Sequence, residues 1–307
     1  MSDQTSIKVS ILVPSYNGAK YLPDALNSAL KQTYQDFEIL IMDDGSTDNT
    51  KEVLAPFLEA HSDKIRYFYQ ENQGLACARN AAISHAQGEY LALLDADDIW
   101  LPQRLEKTVA VIEADPQVGL VHANITRISL EGKELDTPKR DVSVLSGSIF
   151  EHIFLRKAHV SCPTVLFRKK CYDDCGGFDP ALARLGCEDR ELWLRFVKKY
   201  SFQYIDEVLA FYRLSASSMS KNKEKMMKAR MYVVDKFCPE GDQHCLALRK
   251  AALAKIYRDL GDEFLFEGNF DVAKENYMKA VRQNPFSFWL WVNFFKACLK
   301  VEVKNVS

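Results

Sequence analysis

Residues 7–50 read IKVSILVPSYNGAKYLPDALNSALKQTYQDFEILIMDDGSTDNT. Two segments of this stretch, Ile7–Val13 and Phe37–Met42, are apolar and rich in β-branched residues, with little polar alternation. That is the pattern of strands buried on both faces. Tyr21–Gln32, between them, has helical spacing. A strand, a helix and a strand in that order form a βαβ unit, and its two strands run parallel.

The pattern continues. Asp48–Ala60 predicts a second helix, Ile65–Tyr69 a third strand, Leu75–Ala86 a third helix and Glu89–Leu94 a fourth strand. Leu101, Leu105, Val109 and Ile112 mark a further amphipathic helix, and Val118–Ala123 a further strand. The expected fold class is α/β, a mostly parallel sheet with helices on both faces. Residues 125–160 are more polar and read as a loop or hairpin and a short helix outside the sheet. Glu188–Tyr200 reads as a helix with an acidic start and a basic end, which suits the macrodipole. A strand pair is expected at Phe202–Ile205 and Val208–Tyr212.

After about residue 215 the texture changes. Ser215–Lys225 is polar and linker-like, and the remainder is helical. Tyr257, Leu260, Gly261, Gly268, Ala273, Tyr277, Ala280 and Pro285 fall at the spacing of a tetratricopeptide repeat. The expected organisation is a catalytic domain over residues 1–215 and a helical region over 216–307, with one such helix pair at about 250–285.

Of the 307 residues, 47% are apolar and 27% charged, and the formal net charge is -2. This is a globular profile without the basic excess that a nucleic-acid partner calls for. MSDQTS at the start lacks an apolar signal core, and no segment approaches the roughly 20 apolar residues of a membrane helix. The eight cysteines are scattered. Cys171, Cys175 and Cys187 lack the paired spacing of a zinc site, so free thiols in a cytoplasmic protein are expected.

Ligands of parallel α/β sheets sit beyond the carboxyl ends of the strands. Here those ends carry Pro14-Ser15-Tyr16-Asn17-Gly18, Asp43-Asp44-Gly45-Ser46 and Asp95-Ala96-Asp97-Asp98. Asp95 and Asp97, two apart, point to one side of an extended chain. Two readings of this pair stand open: a Mg²⁺ or Mn²⁺ site completed by substrate phosphates, or carboxylates with a purely local role. Asp98 reads as the cap of the next helix. Asp44 can serve a turn or accept hydrogen bonds from a base or ribose. Tyr16 can stack on a base or be an ordinary half-buried tyrosine. Glu188-Asp189 can serve the helix dipole or supply a general base.

Three blocks carry a family resemblance. VSILVPSYNGAKYLPDALNSALKQTYQDFEILIMDDGSTDNT, ENQGLACARNAAISHAQGEYLALLDADDIW and GGFDPALARLGCEDRELWLRF occur in the order seen in family-two inverting glycosyltransferases of the GT-A fold, and together the similarity spans roughly residues 7–213. The resemblance implies that Pro14, Tyr16 and Asp44 hold the nucleotide base and that Arg79 lies near the base or phosphates. It implies that Asp95 contacts the ribose or the metal's water shell, and that Asp97 binds Mn²⁺ or Mg²⁺. Asp189 is implied as the catalytic base, with Glu188 in support. A nucleotide-sugar donor, UDP-linked by the family's habit, and a hydroxyl of a glycan, polysaccharide or lipid-linked acceptor follow as partners. Relatives often carry a histidine shortly after a Tyr-Arg pair; here Tyr212-Arg213 is followed by Leu214-Ser215-Ala216-Ser217, so Arg213 or a later serine is the expected substitute. A loop within residues 125–160 or Ser215–Lys225 is expected to close over the donor. The alternatives are a nucleotidyltransferase acting on sugar phosphates and a degenerate sugar-nucleotide scaffold that uses its helical repeat.

Phe286–Phe295 (FSFWLWVNFF) is the most aromatic stretch. It is too short to span a bilayer. Packing among the repeat helices, or peripheral contact with the inner face of a membrane or with a partner protein, are its two readings.

Overall fold

The computed structural model describes residues 7–136, 145–214 and 222–300. Strands β1 (Val9–Ser15), β2 (Phe37–Asp44), β3 (Ile65–Gln70) and β4 (Tyr90–Leu93) alternate with helices α1 (Leu22–Leu30), α2 (Thr50–Ala60) and α3 (Leu75–Ser84). The strands lie side by side in the order β3-β2-β1-β4, all parallel. Every residue of β1 and β2 is buried, which is why neither shows polar alternation. Helix α1 carries a proline in its first turn and buries Leu22, Ala25, Leu26 and Ala29, one face at helical spacing, in the same core.

Beyond β4 the sheet changes character. It continues through β8 (Leu166–Arg168), β6 (Val118–Ile128), β9 (Ser201–Arg213) and β5 (Ile99–Trp100), with β7 (Glu134–Leu135) on a hairpin from β6. Strand β8 is antiparallel to both its neighbours, and β5 is antiparallel to β9. The sheet expected to be mostly parallel is therefore parallel in one half and mixed in the other. Strands β5 and β8 were not expected, being two and three residues long, too short to show any period. The predicted strand pair is instead the single strand β9. Its pairing with β6 slips around Asp206-Glu207, so two exposed carboxylates there resemble a turn in the sequence. Helices α4 (Arg104–Ala114), α5 (Phe150–Phe154), α6 (Lys169–Cys175) and α7 (Glu188–Phe196) complete this part.

The chain divides into two compact units, residues 1–153 with 157–219, and residues 154–156 with 220–307. The second contains α8 (Lys223–Phe237), α9 (Leu246–Phe266), α10 (Phe270–Gln283) and α11 (Phe288–Cys298). Gly261 of α9 lies against the Tyr277 ring of α10, where an added Cβ would meet ring carbons at 2.9 Å. The Tyr277 hydroxyl donates to Asp262 at 2.6 Å. Leu265, Ala273, Tyr277 and Ala297 form one buried cluster, and Ala280, Val281 and Leu290 another.

Candidate active site

The parallel half of the sheet delivers three loops to one edge. The register sets Ser15 of β1 beside Asp43 of β2, and Asp44 beside Gln70 of β3. Asn17 then ties the first two loops: its side-chain oxygen accepts from the Thr47 backbone at 2.8 Å, and its own N–H donates to Ser46 Oγ at 2.9 Å. Gly45 has φ +79°, and a Cβ there would meet the Asn72 nitrogen at 2.7 Å, so this turn needs glycine. Asp48 also stitches the loops, accepting from Ala19 N at 3.2 Å and from Thr50 N at 3.1 Å.

Asp44 is buried, and its carboxylate already accepts three hydrogen bonds. Gln70 Nε2 and Gln73 N donate to Oδ1 at 2.6 and 2.9 Å, and Gly74 N donates to Oδ2 at 2.8 Å. An ionised carboxylate has about four lone-pair sites, which leaves one for a ligand N–H. Tyr16 is 54% exposed in the loop after β1, its ring open to stacking. Pro14 is buried within β1.

The loop Asp95–Asp98 shows three carboxylates in three environments. Asp95 is ion-paired with Arg79 at 2.7 Å. Asp97 makes no ion pair among the described residues, and burial, then the neighbouring Asp95 charge, pushes its pKa up to about 6. Asp98 is fully buried and accepts from the Arg213 backbone N–H at 3.0 Å, leaving Oδ2 without a partner. Burial and the two adjacent carboxylates raise its pKa well above the usual range. Asp98 is thus no helix cap: α4 starts only at Arg104, and the Asp98 side chain anchors the end of β9 instead. Local sequence could not show this, because the partner is 115 residues away.

Arg213 returns the contact. Its Nε donates to the Asp97 carbonyl at 3.0 Å, Nη1 to the Leu130 carbonyl at 2.9 Å and Nη2 to Asp24 at 3.2 Å. The guanidinium expected to replace the missing histidine is therefore engaged with the protein, clamping the backbone of the aspartate loop. Ser215 and Ser217 lie outside the described residues, as do residues 137–144 and 215–221 of the two candidate closing segments.

The opposite wall is the start of α7. Cys187, at φ +64°, turns the chain so that Glu188 and Asp189 occupy the first turn. The preceding segment is held from both sides. Asn80 of α3 bonds the Phe178 backbone through both amide atoms, at 2.8 Å each. Arg195 donates to the carbonyls of Cys175, Gly176 and Gly177 at 2.6 to 2.8 Å. Glu188 is buried, and Asp189 is half-buried with one oxygen accepting from Arg190 N at 2.6 Å.

Arg79 joins the two walls. It is 1% exposed and donates 2.7 Å bonds to Asp95 on one side and Glu188 on the other. Burial alone would lower its pKa, but the Asp95 and Glu188 carboxylates outweigh that and hold it protonated. Burial and the Asp189 charge raise the Glu188 pKa, with Arg79 opposing. Both terminal nitrogens of Arg79, a residue the resemblance sets near the base or phosphates, donate to carboxylates. Cys162, which the sequence reading left out of the site, lies at the same point, its sulfur 3.3 Å from Arg79 Nη2. Burial, with the neighbouring carboxylates and against the opposing Arg79 charge, raises its pKa well above that of a free thiol. Its signal was Pro163, which fixes the short 3₁₀ turn Cys162–Thr164, but only the fold shows where that turn leads.

Among the described residues no group of three or more His, Cys, Asp or Glu is disposed to hold a metal ion. The site fits one class of ion nonetheless. The Asp97 carboxylate makes no ion pair among the described residues, and a hard divalent ion needs only one or two carboxylates when phosphate and water fill the rest of its shell. A separate cleft of about 570 Å³, lined by residues including Tyr21, Asn27, Trp100, Leu130 and Arg213, contains none of Asp44, Asp95, Asp97 or Asp189.

Comparison with known proteins gives this arrangement a context. The chain is 32% identical over 243 residues to an uncharacterized glycosyltransferase of Nostoc sp., covering 75% of this chain and 74% of that one. It is 30% identical over 234 residues to the Escherichia coli UDP-Glc:alpha-D-GlcNAc-diphosphoundecaprenol beta-1,3-glucosyltransferase WfgD, covering 75% and 86%. A Rickettsia conorii glycosyltransferase is matched at 33% identity, but the chain spans only 35% of its length. Among solved structures, Staphylococcus aureus TarS 1-349 in complex with UDP-GlcNAc superposes with a TM-score of 0.65 at 19% identity, covering 95% of this chain and 88% of that one. The Pyrobaculum calidifontis mannosyltransferase PcManGT, in complex with GDP-Man and Mn2+, gives 0.62 at 20%, covering 95% and 86%. The fold is thus GT-A-like, with added C-terminal helices. The family model described as "Glycosyl transferase family 2" matches residues 10–176, more than half the sequence, and the chain belongs to that family.

Proposed function

We propose that this glycosyltransferase moves a sugar from a UDP-linked donor to a hydroxyl of a glycan or lipid-linked acceptor, with inversion at the anomeric carbon and with the help of Mn²⁺ or Mg²⁺. Family membership already selects sugar transfer over the nucleotidyl transfer and scaffold readings weighed from the sequence. The observation that carries the finer reading is the Arg79 bridge, which fastens the Asp95 loop to the Glu188-Asp189 turn through two 2.7 Å bonds.

In this reading the Tyr16 ring stacks on the base, and the remaining lone pair of Asp44 accepts its N–H. Asp97, supported by Asp95, holds the cation beside the diphosphate. The bound ion offsets the negative charge that develops on the departing nucleoside diphosphate. Asp189 takes the proton of the acceptor hydroxyl, whose oxygen then attacks from the face opposite the leaving group. The lipid-linked acceptor is favoured by the substrate in the name of WfgD.

Calorimetry and turnover test the assignment together. UDP is expected to bind only with Mn²⁺ or Mg²⁺ present, and Asp97→Ala to remove that dependence. Asp189→Asn should keep donor affinity while transfer falls by about 10²–10⁴. Equal metal-free binding would refute the role of Asp97, and full turnover by Asp189→Asn the role of Asp189. A panel of nucleotide sugars scored for hydrolysis with Mn²⁺ identifies the donor.

A further inference from the structure

Helix α11 has two apolar faces, and the protein uses one of them. Leu290, Asn293 and Ala297, at i, i+3 and i+7, are buried within the second unit. On the other side Phe288, Val292, Phe295 and Leu299 follow at intervals of four, three and four. Phe288 is 82% exposed, Phe295 55% and Leu299 75%, and Phe286 just before the helix is 96% exposed. Trp289 on the flank is 50% exposed. With large side chains burying about 150–250 Å² when covered, this stripe matches or exceeds the largest patch, about 300–600 Å², of an ordinary monomer.

Along the helix itself the charges have one sign, while the Arg258 beside Trp289 is paired with Asp259 at 2.7 Å. From Pro285 to Lys300 the chain has no aspartate or glutamate, whereas Lys296 and Lys300 are both present. Neither lysine enters an ion pair among the described residues, and the Arg258 guanidinium lies 5.7 Å from the centre of the Trp289 ring. A second copy laid on the stripe would bring lysines against lysines, with no carboxylate on either helix to meet them. An anionic lipid surface meets both requirements, with acyl chains for the aromatic stripe and negative headgroups for the lysines. Among the described residues no helix is long and apolar enough to cross a membrane, so α11 would lie in the plane of the interface.

We infer that α11 docks this protein on the surface of an anionic bilayer, with Phe288, Val292, Phe295 and Leu299 turned into the headgroup–acyl boundary. The inference is independent of the donor and acceptor assignments. Trp289 and Trp291 report on it directly, because the other two tryptophans, Trp100 and Trp193, are buried.

The test uses the full chain with phosphatidylcholine vesicles, with and without phosphatidylglycerol. Flotation with the anionic vesicles and a blue shift of tryptophan emission are expected, both weakened by salt. F288S/F295S should lower vesicle partition by about tenfold or more, and K296E/K300E should remove the preference for phosphatidylglycerol. Both pairs are surface changes; circular dichroism and metal-dependent UDP binding show that the fold is intact. Failure of the wild type to float, or equal flotation of F288S/F295S, overturns the inference. So does a wild-type dimer that F288S/F295S converts to monomer without changing flotation, since the stripe would then face a second copy.

Discussion

The two halves of the sheet are built by different means. In the β3-β2-β1-β4 half the four strands pair in parallel, every register among them is unbroken, and each of β1, β2 and β3 is followed by its own helix. In the β8-β6-β9-β5 half, two strands are three residues or shorter, the longest pairing slips, and partners come from distant sequence. The first half can specify the edge that carries the proposed donor site from local pattern alone. The second contributes what that edge lacks: the Arg213 clamp on the aspartate loop and, with the segments that follow β8, the Glu188-Asp189 turn. Arg79 is where the two meet.

The most damaging way to separate the halves is Arg79→Met. It leaves Asp95 and Glu188 facing each other without a cation, a loss of about 3–5 kcal/mol for a broken buried pair. The pH dependence has a definite sign. The Glu188 pKa is already raised by burial, and removing Arg79 raises it further. A carboxyl with a raised folded-state pKa keeps its stabilising contribution below the ordinary value of about 4 and loses it as pH rises through the folded value. Urea unfolding of Arg79→Met against pH should therefore show a deficit that grows from pH 4 to pH 8. A deficit independent of pH would mean that the bridge is mere packing.

A smaller effect is expected at the aspartate loop. Asp97 titrates near 6 in the folded protein against an ordinary value of 3.8. Its ionisation therefore costs stability that builds up as pH rises from about 3.8 to about 6 in the absence of a cation. Asp97→Asn should stabilise the metal-free protein at pH 7 by about 1–2 kcal/mol, and not at pH 4. Thermal melts at the two pH values measure this. The smallest effect concerns the donor: wild-type UDP affinity with Mn²⁺ should decline as pH falls through about 6, because protons compete for Asp97. Affinity unchanged from pH 7.5 to 5 would sink the assignment.

How far the sequence could be read follows the same division. The βαβ order, the strand ends and the chemistry placed on them were legible in period and composition, because β1, β2 and β4 are buried along their whole length. Asp98 was misread as a cap because its partner is the backbone of Arg213. Cys162 was passed over because nothing within a dozen residues of it carries the site's chemistry. The strand β9 was cut in two because Asp206-Glu207 interrupts its apolar pattern. In each case the deciding contact spans tens of residues, and local periodicity has no access to it.

The Arg213 clamp also sets an order of events during synthesis. A chain that has emerged through residue 100 already contains the four parallel strands and helices of the nucleotide edge. Its aspartate loop still lacks both anchors supplied by residue 213, the N–H that meets Asp98 and the guanidinium that grips the Asp97 carbonyl. Domains are made from the N-terminus onward, at about 5–20 residues per second. The ribosome therefore makes the residues of the four parallel strands several seconds before it makes the residue that finishes the loop. In the proposed reading, a truncated chain ending before Arg213 should therefore lack turnover, because its aspartate loop has neither of these anchors.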